Sequence, residues 1–347
     1  MSVAIIGAGI AGLTAAWTLR DEAVVFEKSR GLTGRAATRW YDRPAGRVYV
    51  DHGAQFIRTE APALHRLMLT DLPGDELTDI SDPVWIFSAA GVISEGDPAQ
   101  NRQPKWSYRR GLATLGRLMA ARAALRIHTS TRIASVEIDA RGRFTVTDSE
   151  GQSTGDFSQL IIAIPAGQAA DLIAASRLPT AERATLVSGL REAAYRRCLS
   201  VTLGFDRSPI TRPFYALLNT DRAHAIAWLG LEHAKPGHAP SGQAVLVVQM
   251  SGAYSTARWD ATAPELSTEV AALASALLGE DLTAPDWSDV QRWRYSQPEA
   301  LADPGTLNGV VDGLWFAGDY LRGGRLHLAA ETGHDAAQSV IRHRSAR

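Results

Sequence analysis

The chain has 347 residues, of which 45% are hydrophobic, and its formal net charge at pH 7 is −1. That near-neutral balance excludes a broad basic face for nucleic acid or anionic lipid. Cys198 is the only cysteine, which excludes an internal disulfide and a thiolate metal cluster and favours a reducing cytoplasm. The first apolar run, residues 3–19, lacks a basic leader and is short for a membrane span. We therefore expect a cytoplasmic protein with no nucleic-acid or membrane partner.

The N-terminal segment predicts a dinucleotide cradle. Residues 3–6 read as a buried strand, residues 13–20 have helical spacing, and residues 23–26 form a second apolar strand that ends at Glu27. Between the first strand and the helix lies a G-x-G-x-x-G motif, made by Gly7, Gly9 and Gly12. Its glycines permit a tight turn, the approach of a pyrophosphate to the backbone and close packing of helix on strand. Glu27 is then placed to accept hydrogen bonds from ribose hydroxyls.

The middle of the chain predicts β-structure and a covering helix. Alternating apolar residues in 131–151 indicate a hairpin with its turn at Arg141–Gly142. Apolar runs at 198–205, 225–231 and 244–250 indicate an antiparallel sheet, and residues 263–278 have helical spacing.

Three further motifs resemble the flavin-containing amine oxidase superfamily. They are Gly34–Arg35, "DHGAQF" at residues 51–56 and Gly318–Asp319 after an apolar strand. The resemblance implies FAD, with Arg35 at the pyrophosphate, residues 51–56 beside the flavin ring and Asp319 at the ribityl hydroxyls. No cysteine lies near Gly318, so we expect the FAD to be held non-covalently. The cofactor residues implied are Gly7, Gly9, Ile10, Ala11, Gly12, Glu27, Lys28, Ser29, Arg35, Ala36, Ala54, Gln55, Phe56, Ile133, Gly318, Asp319, Leu328 and Ala329.

One departure from the superfamily pattern is Thr33, which replaces the first glycine of the G-G-R element. The superfamily also implies an α/β chain, in which an FAD-binding Rossmann-like domain of the glutathione reductase/p-hydroxybenzoate hydroxylase type is interleaved with an α+β substrate domain. We assign the FAD domain to 1–58, 126–165 and 288–347, and the substrate domain with its antiparallel sheet to 59–125 and 166–287.

Four segments in fixed order, at 104–119, 157–173, 225–237 and 290–300, resemble the bacterial renalases. That resemblance implies an oxidase that takes a hydride from misreduced dihydronicotinamide isomers of NAD(P) and passes the electrons to molecular oxygen, forming hydrogen peroxide. The last loop departs from the family pattern, because His327 and Leu328 replace Glu-Gly. The substrate therefore stays open at this stage.

The residues predicted to act on the substrate are His327, Tyr320, Trp293 and Trp228, with Tyr108 as a further aromatic wall. Arg109 and Arg110 are weighed as phosphate contacts, and a solvated pair is preferred. No histidine pair has ligand spacing, so no metal is predicted. The alternatives are a flavin amine oxidase, a desaturase, or an FAD-binding protein without oxidase activity. The amine oxidase reading is weakened because neither Lys105 nor Lys235 stands where that class places its lysine near flavin N5.

Overall fold

The computed structural model describes residues 2–209 and 211–346. Its strands are β1 (Ser2–Ile6), β2 (Ala23–Phe26), β3 (Thr38–Arg43), β4 (Gly46–Asp51), β5 (Leu77–Asp79), β6 (Val84–Phe87), β7 (Ile93–Ser94), β8 (Trp106–Tyr108), β9 (Arg126–His128), β10 (Ile133–Ile138), β11 (Phe144–Asp148), β12 (Ser153–Ile162), β13 (Ala194–Phe205), β14 (Ala216–Asn219), β15 (Ile226–Leu231), β16 (Ala244–Met250), β17 (Trp287–Ala300) and β18 (Leu314–Phe316). Its helices are α1 (Ile10–Leu19), α2 (Pro62–Arg66), α3 (Pro98–Asn101), α4 (Ala113–Arg122), α5 (Ala166–Ala174), α6 (Thr180–Arg191), α7 (Gly252–Ala257), α8 (Ala263–Leu278) and α9 (Leu326–Ser345).

The first sheet collects strands from both ends and the middle of the chain. Its order is β10-β11-β12-β1-β2-β9, with β18 also beside β12, and β1 is paired in parallel with both β2 and β12. Residues 3–6 are buried, as expected for a parallel strand covered on both faces. Helices α1 and α9 pack so closely that a Cβ on Gly333 would lie 2.0 Å from the carbonyl oxygen of Ala11. The predicted strand–turn–helix–strand cradle is confirmed.

The second sheet has the order β17-β13-β16-β15-β14-β6-β7. The pairs β13–β17, β13–β16 and β15–β16 are antiparallel, which confirms the predicted antiparallel sheet. Helix α8 buries its apolar face against this sheet in the residues predicted to be helical. Its N-terminus is fixed by a capping box between Thr262 and Glu265, and Gly279 ends it in the left-handed conformation at φ 62°.

The division into two interleaved domains stays a proposal, and the sheets refine two of its boundaries. Strand β17, which that division places in the FAD domain, hydrogen-bonds along β13 and so belongs to the second sheet. Helices α5 and α6, which it places in the substrate domain, pack in the same core as β11 and β12 of the first sheet. The predicted hairpin is β10–β11, with Gly142 at φ 72° in its turn.

In the ranges 2–209 and 211–346, no helix combines the length and apolarity that a bilayer crossing requires.

Candidate cofactor and active site

The glycine turn between β1 and α1 contains two kinds of glycine. A Cβ on Gly7 would lie 2.6 Å from the Ala163 carbonyl oxygen, and one on Gly12 would lie 1.9 Å from that of Gly7. Both therefore serve packing. A Cβ on Gly9 would meet no protein atom within 4 Å, so the turn is open on that side. No side chain caps α1, so no side chain competes for its first-turn N–H groups, which are the donors that a pyrophosphate at a helix N-terminus uses.

Glu27 lies at the end of β2 and is buried. Its Oε2 accepts from the Ala8 amide at 2.7 Å and its Oε1 from the Ser29 amide at 2.8 Å. A carboxylate has further lone pairs, so Glu27 can also receive ribose hydroxyls. Lys28 is exposed and donates to Gln168 at 3.1 Å. Ile133 begins β10 and is half-buried.

Thr33, the departure from the superfamily pattern, keeps the backbone conformation that glycine favours. Its φ is 74°, its side chain is buried, and its Oγ1 donates to the Ala36 carbonyl at 2.7 Å. Its amide donates to the Ala8 carbonyl at 2.8 Å, and its backbone bridges to Gly9. The Thr33 methyl group packs against Gly116, where a Cβ would lie only 2.5 Å from Thr33 Cγ2, so glycine alone fits at position 116. The turn is thus preserved despite the threonine.

Arg35 and Asp319, 284 residues apart, form a bidentate ion pair at 2.7 and 2.8 Å. Arg35 Nη1 also donates to the carbonyls of Tyr295 and Ser296 at 3.1 and 3.0 Å. The structure therefore brings the two motifs together and holds both against β17. The contacts predicted for them with the pyrophosphate and the ribityl chain stay predictions, because Arg35 already donates hydrogen bonds to Asp319, Tyr295 and Ser296.

The loop at Gly318–Asp319 leads directly into α9. The Gly318 amide donates to Thr332 Oγ1 at 2.9 Å, which joins the loop to the first turns of the helix. No side chain caps α9, and its first turn contains Leu328 and Ala329 as half-buried residues. An uncapped helix start suits the electron-rich edge of a bound ring.

Beneath residues 51–56 lies a buried ionic cluster that sequence reasoning missed. Lys235 Nζ is 3.0 Å from both Asp51 Oδ2 and Glu232 Oε1, and all three side chains are completely buried. His238 Nδ1 lies 2.8 Å from the same Glu232 oxygen, and Nε2 lies 2.9 Å from the Tyr108 carbonyl. The only available signal was "LEHAKPGH", which places four titratable residues, Glu232, His233, Lys235 and His238, within seven positions.

The charges in this cluster stabilise one another. Burial alone would raise the pKa of Asp51, but Lys235 and His238 hold it below its ordinary value. Burial alone would lower the pKa of Lys235, but Asp51 and Glu232 raise it. Ligand atoms of Asp51, Glu232 and His238 lie within 4.8 Å of one another, as in a metal site, yet the Lys235 ammonium already contacts both carboxylates. The prediction of no metal stays a prediction.

This cluster fixes the backbone of the predicted flavin-side segment. The Asp51 amide donates to Glu232 Oε1 at 2.8 Å, and Gln55 Nε2 donates to the Asp51 carbonyl. Tyr215 OH donates to the Gln55 carbonyl at 3.4 Å, and Gln249 Nε2 donates to the Gly53 carbonyl at 2.5 Å. Residues 51–55 are thereby held from the second sheet as well as from β4.

Two of the predicted substrate residues contact this segment. Trp293 stacks on His52 with ring centroids 5.3 Å apart and an interplanar angle of 16°, and its Nε1 donates to the His52 carbonyl at 2.9 Å. Trp228 lies 6.2 Å from Phe56 and 6.0 Å from Tyr215, centroid to centroid. Its Nε1 is buried with no hydrogen-bond partner among the described residues.

The other predicted residues lie elsewhere. Tyr320 is completely buried in the core of the first sheet, beneath Gly318, and so does not line a pocket. Tyr108 is equally buried. His327, in the first turn of α9, is half-buried with Nε2 3.4 Å from the Glu60 carboxylate. Arg110 is exposed and paired with Glu76.

The single cysteine, Cys198, is not a reactive thiolate. Cys198 is buried in β13 opposite Trp293, and burial raises the pKa of its thiol to about 11. The thiol therefore stays protonated near neutral pH.

The parallel strands around β1, the glycine turn and the acid after β2 define a dinucleotide-binding protein, and residues 5–70 match the family "NAD(P)-binding Rossmann-like domain". Residues 75–341 match the family "Flavin containing amine oxidoreductase". The chain belongs to this flavin-containing amine oxidoreductase family.

Solved structures share the fold over almost the whole chain. A protein proposed to be a protoporphyrinogen oxidase, from Exiguobacterium sp. 255-15, has a TM-score of 0.77 at 13% identity and covers 98% of each chain. Cyclohexylamine oxidase from Brevibacterium oxydans IH-35A has a TM-score of 0.75 at 17% identity and covers 99% of each chain. Putrescine oxidase bound to putrescine has a TM-score of 0.73 at 14% identity, covering 98% of this chain and 99% of its own.

The family establishes three of the sequence predictions. The protein is a flavin-dependent oxidoreductase of the amine oxidase type, its cofactor is FAD, and its fold is the predicted FAD-binding α/β architecture with a second sheet. Its substrates are small molecules. The residues described above fit FAD, since a Cβ at Gly9 would meet open space, no side chain caps the start of α1, and Glu27 has further lone pairs beyond those that accept the Ala8 and Ser29 amides.

We predict that Gly9→Val abolishes FAD binding and leaves the apo-protein folded. An added side chain meets open space in the protein but occupies the space a pyrophosphate needs. Flavin absorbance per protein measures occupancy, and thermal unfolding of apo-protein measures stability. Gly12→Val is the contrasting variant, because it clashes with backbone and should unfold the domain. Full flavin in Gly9→Val would refute this assignment.

We predict that Lys235→Met lowers the free energy of unfolding by about 3–5 kcal/mol, because it leaves two buried carboxylates without a cation. Urea unfolding of apo-protein measures the loss. Lys28→Met is the control, since its ammonium is exposed and should matter by less than about 1 kcal/mol. Equal midpoints for the two variants would show that the cluster carries no net charge coupling.

We predict that His52 makes the protein less stable as the pH falls from about 6.5 to about 4. Burial first, and then the charge of Arg39, lower the pKa of His52 to about 4, so the unfolded chain takes up a proton before the folded one does. The loss is complete below pH 4 and amounts to roughly 3 kcal/mol at most. His52→Gln should flatten urea-derived stability over this range. His65→Gln, at an exposed histidine, should leave the slope unchanged.

Proposed function

We propose that the protein oxidises a small planar hydride donor, a dihydronicotinamide isomer of NAD(P), and passes the electrons to molecular oxygen with formation of hydrogen peroxide. Bound FAD supplies the hydride acceptor and the oxygen chemistry. We also propose a cytoplasmic location, on the basis of the single buried cysteine.

The observation that carries this proposal is the flat stack of His52 on Trp293 beside residues 51–56. Two rings inclined by only 16° present a planar wall, and Trp228 adds a second aromatic surface next to Phe56. A planar donor is oriented by such walls, which also exclude water from the transfer. The renalase-like order of segments supports the same donor class.

The protonation states of nearby groups support a donor that needs no side-chain base. His52 is neutral at pH 7, and its Nδ1 is buried without a partner among the described residues. Lys235 is held by Asp51 and Glu232. Loss of a hydride from a dihydronicotinamide gives an aromatic cation directly, whereas a protonated amine must first lose a proton.

Amine oxidation is the second candidate, and the family description favours it. Two of the structurally similar proteins are named as oxidases of cyclohexylamine and of putrescine. At identities of 17% and 14%, these similarities support the fold and not the substrate, so an experiment must distinguish the two donors.

We predict that anaerobic mixing with 2- or 6-dihydro isomers of NAD(P) bleaches the flavin rapidly. Ordinary 4-dihydro NADH, cyclohexylamine and putrescine should bleach it slowly, because their hydride is not presented in the same geometry or needs prior deprotonation. Stopped-flow absorbance at the flavin band is the measurement, and admitted oxygen should then yield one hydrogen peroxide per donor.

Fast bleaching by an amine, with none by the dihydro isomers, would show that the protein is an amine oxidase.

Trp293→Leu tests the role of the aromatic wall, since it removes the stacked ring while keeping an apolar side chain. It should slow bleaching by the isomers more than it lowers flavin occupancy.

A further inference from the structure

A cavity of about 340 Å³ lies where β13 begins, β17 ends and α9 starts. Its lining consists of Arg196, Arg222, Gln297, Pro298, Glu299, Gly324 and Arg325. No part of the cofactor site described above accounts for it.

The three arginines of this cavity are not neutralised. None of them lies within 4.0 Å of a carboxylate among the described residues, although many other arginines of the chain are paired. Arg196 contacts the Gln297 amide oxygen and Arg325 donates to the Gly324 carbonyl at 3.0 Å. Glu299 is the one acidic residue of the lining and is exposed. Three guanidinium groups around one concavity produce a positive potential suited to an anion.

Arg222 is held in place by its own turn. Its φ is 58°, a left-handed value that few non-glycine residues adopt. The neighbouring Asp221 fixes the turn by accepting from the amides of Ala223 at 3.1 Å and Ala89 at 2.6 Å. The loop thus fixes the backbone from which the exposed Arg222 side chain lines the cavity.

The cavity adjoins the proposed donor site along two elements. Trp293 is opposite Cys198 in the β13–β17 pair, and Gln297 is opposite Arg196, with a register shift between the two pairs. The cavity therefore begins two residues along β13, roughly 7 Å, and four residues along β17, roughly 13 Å, from the stacked wall. Arg325 stands two residues before His327 at the start of α9. A ring against Trp293 with a chain leaving it would reach these arginines.

We propose that Arg196, Arg222 and Arg325 form a phosphate-binding subsite for the donor, which is therefore a phosphate-bearing nucleotide rather than a free base, a nucleoside or an amine. This inference rests on the proposed function for the identity of the ring. The subsite itself stands on the unpaired arginines. It would also disfavour amine substrates, which are cations at neutral pH.

The test measures binding without turnover. Calorimetric titration of the FAD-loaded protein with oxidised NAD⁺ is compared with nicotinamide riboside, which has the same ring and no phosphate. We expect NAD⁺ to bind at least tenfold more tightly, with an affinity that falls as salt rises. Arg222→Asn and Arg325→Gln should each weaken NAD⁺ binding about fivefold and together about twentyfold, and should leave the riboside unaffected. Asparagine is chosen at position 222 because it tolerates the left-handed backbone.

Arg294→Gln is the matched control, since Arg294 is exposed on β17 and outside the lining. Equal binding of NAD⁺ and the riboside, no binding of NAD⁺, or unchanged NAD⁺ binding in the double variant would each overturn the subsite. If NAD⁺ binds as expected and no dihydro isomer bleaches the flavin, the proposed function fails and the subsite stands.

Discussion

The ion pair between Arg35 and Asp319 is the interaction on which the arrangement of the site depends. It joins the loop after β2 to the loop after β18, and its extra bonds to the Tyr295 and Ser296 carbonyls include β17 of the second sheet. Asp319 is almost buried and Arg35 is about one-third exposed, so the pair is only partly screened by water. Two parallel hydrogen bonds fix direction as well as distance. The Arg35–Asp319 pair therefore fixes the loop after β2, the loop after β18 and strand β17 relative to one another.

A second buried charge group serves the other side of the site. Lys235, Asp51 and Glu232 are removed from solvent completely, which is costly unless each charge is matched. The charges are matched by residues from β4 and from the turn after β15, so the group joins the two-stranded β3–β4 sheet to the second sheet. Its carboxylates receive the amides of Asp51 and Leu112. A neutral apolar core here would leave those amides without acceptors.

The sequence predicted the local features well, because each rests on short-range rules. The glycine turn follows from the spacing of its glycines, α8 from helical spacing over residues 263–278, and the second sheet from apolar runs. Three features that depend on contacts distant in sequence escaped it. Burial of Tyr320 could not be read from its place after Gly318, since the loop could point its ring either way. The assignment of β17 to the second sheet depends on pairing with β13, about ninety residues earlier, which periodicity does not encode. The ionic cluster could not be predicted either, because Asp51 and Lys235 are 184 residues apart and only the folded structure brings them together.

The placement of β1 between β2 and β12 has a consequence for how the chain folds. Strand β1 gains its second neighbour only when residues 153–162 are present, and α1 gains its contact with α9 only when residues 326–345 are present. Loop-closure entropy must be met before these distant contacts contribute, so folding is expected to be slow and cooperative rather than stepwise along the chain. During synthesis, the apolar residues 3–6 stay unpaired on one edge until the middle of the chain has left the ribosome. The nucleotide cradle, although contiguous in sequence, thus completes its packing only when segments from the middle and the C-terminal part of the chain are in place.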